Sequence, residues 1–170
     1  MGERLVLRRA AGTDVPAIQA LVRAAYAPYV ERIGREPAPM HADYPSAVLA
    51  GNAIVAQHEA RIVGVLVCEP INGSLHIENV AVHPDAQGLG VGSALLAHAE
   101  TLAVSLRLPE IRLYTNARMT ENLAYYPRRG FTEVDRRVED GFDRVFFVRR
   151  VEGPQRARSE PGGTDQNRVF

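Results

Sequence analysis

The chain has 170 residues, 46% of them hydrophobic, which suits one folded domain and excludes wholesale disorder. Its 20 basic and 20 acidic residues cancel, so no global field would draw it to nucleic acid or to an anionic membrane. Every basic residue is arginine, and without lysine neither a P-loop nor a Schiff-base mechanism on a side-chain amine can be built.

The amino-terminal MGERLVLRRA lacks the apolar core of a signal peptide, and no apolar run approaches the ~20 residues that cross a bilayer, so a cytoplasmic protein is expected. Arg4 to Arg8 alternates as a short strand. In AGTDVPAIQALVRAAY, Thr13 or Asp14 can cap a helix with Pro16 in its first turn, and Ile18, Leu21, Val22 and Tyr26 form its apolar stripe. From Ala27 to Ala50, four prolines predict an irregular connection, yet one carrying Tyr29, Arg32, Arg35, Met40, His41 and Tyr44. Long connections rich in side chains are commonly functional.

Asn52 to His58 and Arg61 to Glu69 read as a hairpin, and Leu75 to Val82 as the next strand. Strict alternation on that strand would put Ile77, Asn79 and Ala81 on one face, and Glu78, Val80 and Val82 on the other. Cys68, in the apolar run RIVGVLVC, reads as an inert core residue. The strand runs into VHPDAQGLGVGSALLAHAE, where Gly88, Gly90 and Gly92 precede a helix with Val91, Leu95, Ala99, Leu102 and Leu106 at spacings of three and four. After Pro109, IRLYTN predicts a strand, TENLAYYPRRGF a helix stopped by Gly130, and FTEVDRR with FDRVFFVRR a closing hairpin. The single strand-helix-strand crossover should set Leu75–Val82 beside Ile111–Thr115 in parallel. The order predicts a three-layer α/β (α+β) domain over residues 1–151, with a polar tail over 152–170.

Glycine costs a helix about 1 kcal/mol relative to alanine, so three at its entrance imply another duty. A helix amino terminus presents unpaired N–H groups and partial positive charge, and glycines let an anion approach them closely. The dinucleotide fingerprint fails here, because its third glycine would fall on Ser93 or Leu95; the P-loop fails for want of lysine. Gln87-Gly88-Leu89-Gly90-Val91-Gly92 instead satisfies the acetyl-CoA motif of the GNAT superfamily of N-acetyltransferases. ENVAVHPD before it and NLAYYPRRGF after it are similar to that family's fourth strand and late tyrosine signature. The chain thus resembles the family over about residues 3 to 150.

The resemblance implies the GNAT-like fold, a mixed, mostly antiparallel sheet of about seven strands with helices on both faces. It implies acetyl-CoA as cosubstrate, its pyrophosphate on the amides of Gln87, Gly88, Leu89, Gly90, Val91 and Gly92, and its pantetheine arm along Val80, Ala81 and Val82. The Val80 N–H becomes the oxyanion donor and Tyr126 the acid for the leaving thiolate. Met119 stands where the family often has a cofactor-touching asparagine, which leaves Asn116 and Asn122 as replacements. Glu78, a charged residue on a central strand, is the candidate base; the alternative base position of the family holds Tyr114. Tyr29, Arg32, Arg35 and Tyr44 are candidate acceptor lining, the arginines suited to an acceptor carboxylate. The five histidines show no metal-ligand spacing, and no metal is expected. The expected reaction is acetyl transfer to a primary amine of a small molecule or peptide. A non-catalytic acyl-CoA-binding module is the alternative. Many relatives pair through their C-terminal strands, so a homodimer is compatible with the resemblance.

Overall fold

In the computed structural model, which describes residues 4–153, seven strands form one sheet in the order β1-β2-β3-β4-β5-β7-β6. The strands are β1 (Val6–Arg9), β2 (Ala53–His58), β3 (Arg61–Ile71), β4 (Ser74–Val82), β5 (Glu110–Asn116), β6 (Thr132–Glu139) and β7 (Phe142–Arg150). Only β4 and β5 run parallel, as the crossover through α3 (Val91–Ser105) requires. The expected tail falls largely on residues 154–170, outside the described residues.

Each sheet face carries its own core. On one, Leu66, Cys68, Leu75 and Ile77 pack with Val91, Leu95 and Ala99 of α3 and with Tyr126 of α4 (Thr120–Arg128). On the other, Val55, Val65, Val67 and Ala81 meet Ile18, Leu21 and Val22 of α1 (Val15–Ile33) and Tyr44 of α2 (Tyr44–Leu49). Gly64 lets α3 lie close: a Cβ there would stand 2.6 Å from Val91 Cγ1 and 3.0 Å from Leu95 Cδ1. Cys68 is buried, and its thiol is pushed up to about 11, first by burial and then by Glu78, as an inert core thiol should be.

Two sequence expectations need correction. The connection from Ala27 to Ala50 is largely helical: α1 runs through the exposed Pro28 to Ile33, where Gly34 caps it at φ 89°, and Asp43 caps α2 by accepting from the Ser46 amide. A proline inside a helix forfeits one hydrogen bond, and packing on both sides of Pro28 outweighs that loss. Alternation along β4 also fails. Val67 opposes Asn79 and Cys68 opposes Ile77, so Glu78 is an extra residue bulged out of the β3–β4 ladder. Ile77 therefore packs toward α3, whereas Asn79 and Ala81 face α1.

Candidate active site

The bulge lies where the sheet parts. Pairing between β4 and β5 is confined to Leu75 with Ile111 and His76 with Arg112, and beyond it the strands separate. Three cavities follow the gap. A cleft of about 590 Å³ lies against Val80–Val82 and the amino terminus of α3; a space of about 670 Å³ lies on the α2 side. A narrow junction of about 60 Å³ adjoins both, sharing Val80, Asn122 and Tyr126 with the cleft, and Glu78, Asn79 and Tyr114 with the larger space.

The cleft has the form of an anion cradle. Gly88 and Gly90 take φ of 84° and 76°, the left-handed region that favours glycine. Gly90 is the N-cap of α3 and offers no side-chain bond, so the first-turn amides stay available. Gln87, Gly88, Gly90, Val91 and Gly92 border the cleft together with Val80, Ala81 and Val82. The Leu89 side chain is half exposed and turns away from it. At Gly92 a Cβ would stand 3.0 Å from the Tyr125 hydroxyl, so α3 and α4 meet closely here. Arg129 lies 5.0 Å over the Tyr125 ring and donates to the Ser93 hydroxyl. These residues fit a pyrophosphate, with amides, a helix dipole and one arginine converging on it.

Tyr126 borders both junction and cleft, its ring held among Tyr125, Phe131 and Phe147 at centroid distances of 5.5 to 5.7 Å. Burial pushes its hydroxyl well above the usual phenol range. Asn122 borders the same two cavities and donates to Thr115 Oγ1 at 3.0 Å; the buried Met119 accepts weak bonds from both. Asn116 reaches only the junction, its Oδ1 accepting from the Arg118 amide.

Glu78 projects from the bulge into the junction and the larger space. Partial desolvation raises its carboxyl pKa, and the adjoining Glu69 carboxylate raises it further, first by hydrogen bonding and then by like charge. Next to it, Asn79 is buried in a chain of bonds: Tyr26 donates to its Oδ1 at 2.6 Å, its Nδ2 donates to Tyr44 at 2.9 Å, and Tyr44 donates to the Pro39 carbonyl at 2.6 Å. The chain ties β4 beside the bulge to α1 and to the segment before α2. Burial pushes Tyr44 up to about 12, so it serves that network as a neutral hydroxyl.

The candidate acceptor residues do not converge. Tyr44 borders the larger space, whereas Tyr29 borders the cleft. Arg32 lies 5.1 Å over Tyr29 and pairs with Glu121 at 2.7 Å, joining α1 to α4. Arg35 covers Phe142 at 3.5 Å and donates to the Asp140 carbonyl. The expected two-arginine clamp is absent, both guanidiniums being engaged elsewhere. Glu69 and Asn79 border the larger space without having been candidates from the sequence, and Arg129, which as one of an arginine pair reads first as solvated surface, borders the cleft. The polar pair Glu78–Asn79 between Ile77 and the apolar run Val80–Val82 was the available signal. Among the described residues no helix is long and apolar enough to cross a membrane, and no group of three or more metal-ligating side chains forms.

The sequence profile of the Acetyltransferase (GNAT) family matches residues 18–131. A mycothiol acetyltransferase of Pseudarthrobacter chlorophenolicus is 31% identical over 137 residues, 81% of this chain and 41% of that protein. One from Jonesia denitrificans is 38% identical over 81 residues, 46% of this chain and 26% of that protein. The chain thus spans less than half the length of these curated relatives. Among solved structures, the PaiA N-acetyltransferase of Thermoplasma acidophilum, in complex with coenzyme A, shares the fold with a TM-score of 0.75 at 15% identity, over 86% of this chain and 99% of that one.

Proposed function

The chain belongs to the acetyltransferase (GNAT) family, and from that premise we propose that it transfers the acetyl group of acetyl-CoA to a primary amine of a small molecule or peptide in the cytoplasm. One observation carries the reading: a glycine-rich cradle and an acceptor-sized space adjoin a common junction that holds a carboxylate and a phenol. Bound acetyl-CoA supplies an activated thioester. The amides from Gln87 to Gly92 hold its pyrophosphate, with Arg129 beside them, and Val80–Val82 align its arm as an added strand would.

An alkyl ammonium has a pKa near 10 and must lose a proton before it attacks. Glu78 takes that proton, directly or through one water, and its raised pKa makes it a better base near neutrality. As the carbon–nitrogen bond forms, the Val80 N–H stabilises the negative carbonyl oxygen. As the carbon–sulfur bond breaks, Tyr126 gives its proton to the thiolate and is reprotonated by the one the nitrogen sheds as the amide forms, so acetylamine and free thiol leave and Glu78 returns its proton to solvent. Asn79 acts through Glu78 as a positioning residue. The relatives' names agree with acetyl transfer, but the chain spans too little of them to carry over their acceptor.

Release of coenzyme A thiol from acetyl-CoA across a panel of amines tests the proposal. Amine-dependent release that falls sharply in Tyr126→Phe is expected. Tight acetyl-CoA binding without turnover on any amine would leave only the binding-module alternative.

A further inference from the structure

The space on the α2 side would admit the acceptor, and its charges are unequally satisfied. Arg112 is paired with Glu110 at 2.7 Å, and Arg137 with Asp135 at 2.5 Å and Glu139 at 2.9 Å. Asp43 is committed to the amide and hydroxyl of Ser46. Two carboxylates remain, Glu69 of β3 and Glu78 of β4. Among the described residues neither pairs with an arginine or histidine, and apart from its contact with Glu78, Glu69 accepts only a long bond, 3.3 Å, from Asn52. His76 opposes Glu69 in the ladder, but burial and then Arg112 lower its pKa and so disfavour its cationic form. Like charges this close disfavour each other, so an incoming cation gains what the empty pocket forfeits.

Resting on the acetyltransferase reading, we infer that the acceptor is a linear diamine, with one nitrogen at the junction to be acetylated and a second, still charged, paired with Glu69. Glu78 must be free to take a proton from the reacting nitrogen, which leaves Glu69 as the fixed counter-charge. The junction, at about 60 Å³, has room for roughly four water-sized spheres and suits an unbranched amine end. Glu78 is two positions from Val80, and the Glu69 carboxylate adjoins it. A nitrogen bonded to Glu78 and a second bonded to Glu69 are then parted by two hydrogen bonds and the contact between the carboxylates, roughly 7 Å, the reach of about five methylenes.

The test compares pentane-α,ω-diamine, pentylamine and a short peptide without basic side chains as acceptors, with acetyl-CoA saturating. The diamine should exceed pentylamine about tenfold in kcat/KM, a ratio worth about 1.4 kcal/mol, through a lower KM. In Glu69→Gln that preference should fall below about twofold, and Glu69→Asp should keep part of it. Equal use of the two amines, a better peptide, or a preference unchanged by Glu69→Gln would each overturn the inference while leaving the acetyltransferase reading standing. Acetyl-CoA that binds, by calorimetry, but is consumed with no amine would overturn that reading and the diamine with it.

Discussion

Burial moves the pKa of Tyr126 and that of Glu78 in the same direction, and the two consequences are complementary. The phenol stays protonated at every working pH and so always has a proton to give; the carboxylate becomes a more willing acceptor. Removing the hydroxyl in Tyr126→Phe should lower kcat by about 10²–10³ and leave the acetyl-CoA KM within about threefold, as steady-state kinetics would show. An unchanged kcat would remove the phenol from the chemistry. Glu78→Gln should lose activity at neutral pH and recover it as pH rises, because free amine then forms without a base. Its stability should move the opposite way. Folded Glu78 keeps its proton to higher pH than it does unfolded, so its contribution is intact below the ordinary carboxylate range and fades as pH rises through the folded value. Glu78→Gln escapes that loss; its Tm should match the native chain at acid pH and exceed it toward neutrality. Glu69→Gln removes the like charge, so the acid limb of the pH–rate profile should move to lower pH for every acceptor.

At the scale of elements, one backbone approach sets where the cradle sits. Gly64 is the contact on which α3 settles, and a methyl 2.6 Å from Val91 Cγ1 must push the helix outward or twist β3. Gly64→Ala should cost about 1–3 kcal/mol in urea unfolding and raise the acetyl-CoA KM, because Val91 opens the first turn of the cradle. A stable variant with an unchanged KM would show that the helix and the loop move independently. The glycine loop, α3 and the helix that carries Tyr126 were legible in the sequence because each depends on local spacing, and the parallel crossover because chain order dictates it. Periodicity alone did not place the bulge at Glu78, since period two has no mark for an extra residue until the register with β3 is known. Nor was the passage of α1 through Pro28 legible. A single lost hydrogen bond reads as a break, and only the tertiary contacts reveal the compensation: Ile18, Leu21 and Val22 in the core before it, and Arg32 tied to Glu121 after it. The buried chain from Tyr26 to Pro39 escaped notice for the same reason, joining residues up to 53 positions apart.

Across the whole molecule the sheet is nearly two sheets, strands β1–β4 and β5–β7, with two register pairs between them. The two faces share the consequences unequally. Toward α3, a continuous apolar core running from Leu66 to Phe147 binds the halves together; toward α2, the open space intervenes. A ligand lying along Val80–Val82 with its far end on α3 and its arm against Asn122 and Tyr126 would touch both halves, closing in space what the ladder leaves open. Coenzyme A should therefore stabilise the fold as well as load it. Mass action sets the size, about 2.7 kcal/mol at a hundredfold excess over Kd. Hydrogen exchange sets the pattern: protection should rise at residues 80–82, 87, 88 and 90–93, which line the cleft, and also in α4 around Asn122 and Tyr126 on the other half. Protection confined to the glycine loop would mean that the ligand is held by its phosphates alone and that the parted strands stay uncoupled when it binds.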